Sequence, residues 1–130
     1  MEDINIGAIT EALNDKTDRD MRNVDTVSGG DAVIAYQVPT AGNGYTWYRK
    51  YKSGWVEQGG LCNTGANKKV LINLPITMAD GNYTIQVTMS WSETATAQNE
   101  GAADPTTTGF YVTSSYASVA GYWQVSGVAA

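Results

Sequence analysis

The sequence predicts an all-β chain: an antiparallel β-sandwich head over residues 29–130 behind a short N-terminal helical, coiled-coil-like stalk over residues 1–28. Three observations point there. Tyr83, Ile85, Val87, Met89 and Trp91 alternate with Thr84, Gln86, Thr88 and Ser90, the pattern of a strand with one wet face. Several short apolar and aromatic segments are separated by Gly- and Asn-rich turns, as in a sandwich or small barrel. Finally, the period changes from helical to alternating after Ser28-Gly29-Gly30-Asp31.

The leader comes first. Ile6, Ile9 and Leu13 fall at heptad-like spacing, and Thr17, Met21 and Val24 continue the stripe after a slip in register. Nearly all the residues between them are polar. A stripe this thin buries little against its own chain and suits a self-associating stalk; a solvated helix lying on the head is the other use for it.

Within the head, strands are expected at Ala32–Val38, Tyr45–Tyr51, Trp55–Gln58, Val70–Leu74, Tyr83–Trp91, Gly109–Ser114 and Tyr122–Val125. Pro39–Gly44, Lys52–Gly54, Gly59-Gly60 and Asn63–Asn67 carry the chemistry of turns. Asp80-Gly81-Asn82 leads into the strongest strand, and Val70–Leu74 is its plausible partner across a loop containing Pro75. In Tyr45–Lys50 two sets of side chains alternate, so one aromatic set is expected inside and the other outside. Ser92–Thr108 is long and lacks periodicity, which marks a functional or disordered connection.

Composition narrows the function. Only 16% of residues are charged and the net charge is −5, so the surface is built largely from neutral polar groups. The eight cationic residues are scattered, which argues against nucleic acid, whose binding needs clustered Lys and Arg. No apolar run of spanning length exists, so membrane insertion is not expected. Met1-Glu2-Asp3 begins no basic, apolar-cored secretory signal. With no histidine and one cysteine, Cys62, the composition excludes His-based triads and the common zinc sites, and no cofactor is expected. Cys62 is expected to pack as a small buried hydrophobe.

Catalysis has few candidates. Among the acidic residues Glu57 stands in a predicted strand, where a surface charge beside Arg49 or Lys50 is its simplest role. The glycine pairs lack the following helix and Lys-Ser/Thr of a phosphate loop. Binding has more material. Trp47, Trp55, Trp91 and Trp123 with eight tyrosines give flat apolar faces with polar handles, suited to sugar rings and varied surfaces, although core or subunit contact is the commoner use of any single Trp.

The segment Tyr45-Thr-Trp-Tyr-Arg-Lys-Tyr-Lys-Ser-Gly-Trp-Val-Glu-Gln-Gly-Gly60 resembles the C-terminal head of bacteriophage and prophage tail fibres. Ala12–Asp20 is similar to the Asn/Asp/Lys-rich repeats of fibre shafts. Leu74–Asp80 with Tyr83-Thr-Ile, then Gly109-Phe110 and Gly121-Tyr-Trp123, is similar to the middle and closing strands of these heads. The resemblance implies a homotrimer at the tip of a virion tail fibre, attaching without catalysis to a bacterial cell-surface glycan or outer-membrane protein. It carries over no contact residues. The expected receptor contacts are Trp91, Gln98, Asn99 and Glu100 at the long connection, with Tyr111 and Tyr116. Two other readings are a structural trimerisation cap and a capsule depolymerase using Glu57, Glu93 or Glu100.

Overall fold

The computed structural model describes residues 30–91 and 98–130; the expected stalk, and Glu93 within the long connection, lie outside the described residues. The described chain is all β. Its strands are β1 (Val33–Gln37), β2 (Trp47–Tyr51), β3 (Trp55–Asn63), β4 (Lys69–Asn73), β5 (Thr84–Ser90), β6 (Glu100–Ala103), β7 (Gly109–Ser114) and β8 (Ala120–Val128). They form two antiparallel sheets, one of five strands in the order β1-β2-β3-β8-β5 and one of three in the order β4-β7-β6.

The sheets face each other because each presents one apolar set of alternating residues. From the larger sheet come Cys62, Tyr83, Met89, Trp123 and Val125; from the smaller come Ile72, Phe110 and Val112. The Phe110 ring meets Tyr83 and Trp123 edge to face, with centroids 6.4 and 5.9 Å away. β4 lies against β3 and β6 against β5, so the small sheet covers β3, β8 and β5. The β1–β2 hairpin projects past it. This explains a departure from expectation: neither aromatic set of Tyr45–Lys50 is buried, Trp47 and Tyr48 both being half-buried.

Three other expectations are corrected. β4 pairs with β7 instead of with the Tyr83–Trp91 strand, whose partner is β8. The segment after β4 crosses between the sheets, clamped by Gln58. This buried side chain donates from Nε2 to the Ile76 carbonyl at 3.0 Å and accepts the Ile76 N–H at 2.9 Å. Second, Gly59-Gly60 is no turn: β3 runs through it to Asn63. A Cβ at Gly59 would stand 2.7 Å from the Trp47 indole, and one at Gly60 3.0 Å from that of Trp123, so these glycines make room for rings lying flat on the sheet. Third, the long connection contains β6, whose Gly101-Ala102-Ala103 has too little side chain to show a period.

The remaining turns fall where expected. Thr40 caps a single 3-10 turn over Ala41–Asn43, and Gly54 closes the β2–β3 turn with φ of 95°, a conformation that favours glycine. Asp80 Oδ1 accepts from the Asn82 N–H at 2.7 Å ahead of β5.

Cys62 is buried, and burial raises its thiol pKa above the ordinary 9.0, with the Glu100 charge adding to the shift. The native state therefore keeps this proton to higher pH than the unfolded chain does. Its contribution to stability is present below pH 9.0 and lost as pH rises through the native pKa. Tyr83, raised by burial from 10.0, acts in the same direction. Urea midpoints are expected to fall above about pH 9, less steeply in Cys62→Ala than in the parent.

Candidate functional site

Six residues were expected to contact a receptor, and the fold gathers most of them. The ends of β3, β5 and β7 and the starts of β6 and β8 converge at one end of the two sheets, by register: Asn63 lies opposite Ala120, Ser90 opposite Ala120, and Glu100 opposite Ser114. Trp91 leaves β5 there, and its ring meets that of Tyr116 edge to face at 6.1 Å. Glu100, opening β6, turns toward the other sheet, where Oε2 accepts the Met89 N–H at 3.0 Å and the Trp91 Nε1–H at 3.2 Å.

Asn99 and Ser115 bind each other's backbone. The Asn99 N–H donates to Ser115 Oγ at 3.0 Å, and the Ser115 N–H donates to the Asn99 carbonyl at 2.9 Å. Both bonds on Asn99 use its main chain, and the residue is exposed. Gln98 beside it is also exposed. Beneath this group Thr64 Oγ1 accepts the buried Val119 N–H at 3.1 Å and lies 2.7 Å from Ser114 Oγ, itself 2.6 Å from the Tyr116 carbonyl. That chain of hydrogen bonds holds the Tyr116 turn to the core.

Tyr111 does not join them. It stands mid-strand in β7 on the outer face of the small sheet, with the Lys69 ammonium 5.2 Å from its ring centroid. The expectation that it shares a site with Trp91 and Tyr116 failed for a simple reason: strand alternation sends Phe110 and Val112 inward and Tyr111 outward.

Glu100 holds the site together by bridging the two sheets at this end. Glu100→Ala removes the acceptor of two donors and is expected to cost about 1–3 kcal/mol. It should also free the Trp91 indole, read as a red shift and easier quenching of tryptophan fluorescence; Glu100→Gln, which keeps an acceptor oxygen, should lose less.

A second feature was not read from the sequence as a site. The outer face of the five-stranded sheet carries a groove of about 1010 Å³ lined by Tyr45, Trp47, Leu61 and Tyr122 with Gln86 and Gln124 among the polar groups. The signal was present in the alternation of β8, which turns Tyr122 and Gln124 outward, but the lining comes from several strands that only the strand order brings together.

The sequence matches no protein-family model. No curated protein matches it. Among solved structures, it is similar to a C-terminal piece of the Pseudomonas aeruginosa R2 pyocin fibre, with 19% identity and a TM-score of 0.54 over 74% of this chain and 26% of that one. An N-truncated R2-type pyocin tail fibre matches at the same identity and TM-score over 74% of this chain and 39% of the other. The chain thus spans between about a quarter and two-fifths of those structures' lengths. The described head has the fold found in the C-terminal part of pyocin tail fibres.

Proposed function

We propose that this chain is the receptor-binding tip of a phage or phage-like tail fibre, a homotrimer that attaches the particle to a bacterial surface glycan or outer-membrane protein. The observation that carries the reading is the shared fold with pyocin fibres, reached independently of the fibre-head resemblance of Tyr45–Gly60. The placement of the Trp91–Tyr116 group supports it. Asp31, where the chain approaches β1, is held at the opposite end by Ser53, whose N–H and Oγ donate to its carboxylate at 3.0 and 2.6 Å. A stalk leading into β1 would leave the Trp91–Tyr116 end outermost.

Binding there would combine stacking on the exposed Tyr116 ring and the half-buried Trp91 ring with hydrogen bonds from Asn99 and Gln98, each weak alone. Three such sites on one tip multiply affinity through avidity. Attachment is favoured over hydrolysis by the state of the carboxylates. Glu57 Oε1 accepts the Tyr51 hydroxyl at 2.8 Å and stands opposite Arg49, while Glu100 is engaged by Met89 and Trp91. Both carboxylates are thus taken up by the chain's own donors, whereas hydrolysis calls for a pair facing the scissile bond.

The test is adsorption of the fluorescently labelled chain to a panel of bacterial strains. Saturable binding to a subset of strains, displaced by unlabelled chain and without polysaccharide cleavage, is expected. Uniform non-saturable binding, or none, overturns the proposal.

A further inference from the structure

Two rows of residues cross the outer face of the five-stranded sheet. In the first, Trp47 of β2 lies opposite Gly59 of β3, Gly59 opposite Gln124 of β8, and Gln124 opposite Gln86 of β5. In the second, two residues along each strand, Leu61 lies opposite Tyr122 and Tyr122 opposite Thr88. The rows differ in height. Gly59 has no side chain, and the Trp47 indole takes its place: a Cβ there would stand 2.7 Å from Nε1. Tyr122 and Leu61 rise alongside, 60 and 45% exposed. The first row is therefore a trough, with an indole at one end, two carboxamides at the other, and the second row as its wall.

We infer that this trough is a binding site for an uncharged oligosaccharide, its sugar rings stacked on Trp47 and Tyr122 and its hydroxyls bonded to Gln86 and Gln124. The site is separate from the Trp91–Tyr116 end, and the inference rests on the fibre-tip reading only for the source of the sugar. Four features of the trough select this ligand class. No charged residue lines the groove, so an acidic glycan or a phosphate finds no cation in it. The nearest opposite charges, Arg49 and Glu57, stand one row further along and face each other. Among the described residues no hydrogen bond engages the Gln86 or Gln124 amide, so both are open to a ligand's hydroxyls. A purely apolar ligand would cover these amides without satisfying them. The floor strands β3 and β8 are each paired on both sides, so they offer no open backbone to an added peptide strand. What remains is a ligand with both apolar C–H faces and hydroxyls, which suits rings beside amides.

Size sets the length of the ligand. The row from β2 to β5 crosses three strand spacings of about 4.8 Å, roughly 14 Å in all, which is room for roughly two to three linked sugar rings. The groove volume of about 1010 Å³ lies at the upper end of the roughly 300–1,000 Å³ of small-ligand sites.

The experiment screens the full chain on a printed array of neutral and uronic-acid-bearing oligosaccharides, then titrates the strongest neutral member, with cell adsorption measured in parallel. Saturable binding to at least one neutral member is expected, with an affinity insensitive to salt. Gln86→Ala and Gln124→Ala should each weaken it by roughly three- to tenfold, and Tyr122→Ala by about tenfold or more. Melting temperatures should not change, and Tyr116→Ala should bind the sugar as the parent does. Hydroxyl-radical footprinting of the unmutated chain is independent of variant folding: the sugar should protect Trp47 and Tyr122 and leave Leu71 reactive. Binding to no neutral member, preference for acidic ones, or parent-like affinity in both glutamine variants overturns the inference. So does protection of Tyr122 that rises with protein concentration in the absence of sugar, which would give the trough to a second copy. Loss of sugar binding in Tyr116→Ala alone would move the sugar to the other end. Cell adsorption without binding in the trough sinks this site and leaves attachment standing; sugar binding in the trough of a chain that adsorbs to no strain does the reverse.

Discussion

Phe110→Ala is expected to destabilise the chain by about 3–5 kcal/mol, the usual range for removing a fully buried phenyl ring. Phe110 is 0% exposed and sits on β7 where the two sheets meet. Its ring is the shared edge-to-face partner of Tyr83 and Trp123, so removing it leaves a void and breaks both ring contacts. The backbone around it has little freedom to collapse. At neighbouring Gly109 a Cβ would already overlap the Ile72 carbonyl oxygen, so the backbones of β4 and β7 are packed closely there. Urea unfolding at fixed protein concentration measures the loss. A drop of under about 1 kcal/mol would mean that the sheets are not held together at this ring.

Gln58→Ala is expected to cost about 2–4 kcal/mol through a different mechanism, the stranding of buried polar groups. Gln58 is 0% exposed, and its amide pairs with both the N–H and the carbonyl of Ile76 much as a strand neighbour would. The Ile76 groups belong to the segment that carries the chain from β4 in one sheet to β5 in the other, so the clamp fixes the crossing. Gln58→Leu separates the two contributions: it restores most of the lost volume yet leaves Ile76 without partners. Leu is therefore expected to recover less than half of the stability lost in Ala. Full recovery with Leu would show that volume alone matters at this position.

Gln58 also shows where sequence reading stops. Between Val56 and Gly60 it looks like a wet-face residue, and nothing local says that its partner is eighteen residues away in a crossing segment. The strand Tyr83–Trp91 was legible because one half of it faces a core and the other faces water, which prints a period of two. Pairing was not legible. Val70–Leu74 reads as a strand, but its partner is set by which sheet the crossing delivers it to, and that is a tertiary choice. Gly59-Gly60 was misread because a glycine pair signals a turn by composition, whereas here it serves rings that arrive from β2 and β8. β6 left no trace because Gly101-Ala102-Ala103 offers no contrast between its two faces.

The candidate site divides along the same line. Trp91, Gln98, Asn99, Glu100 and Tyr116 could be grouped from chain position, since the ends of adjacent strands must share one end of a sheet. Tyr111 could not be excluded without knowing the phase of β7. The apolar outer face was hidden for a related reason: its residues come one or two at a time from β1, β2, β3 and β8, and only the strand order assembles them. The segment that most resembles fibre heads, Tyr45–Gly60, proves to supply the middle of that face and not the Trp91–Tyr116 end. The fold is thus written in the aromatic segments, and the proposed attachment is assigned to the smaller group at the far end.

Attachment by that end is the central claim, and it is tested most directly by cell-binding isotherms of point variants on a strain that binds the parent chain. Tyr116→Ala removes an exposed ring from the site, and Asn99→Ala removes an amide that the fold does not use. Leu71→Ala is the control on the small sheet. Each of the first two is expected to weaken binding by roughly tenfold or more, equivalent to about 1.4 kcal/mol, with unchanged melting temperature and assembly, and Leu71→Ala to bind as the parent does. Parent-like isotherms for both Tyr116→Ala and Asn99→Ala would contradict the account and move the receptor site away from the Trp91–Tyr116 end.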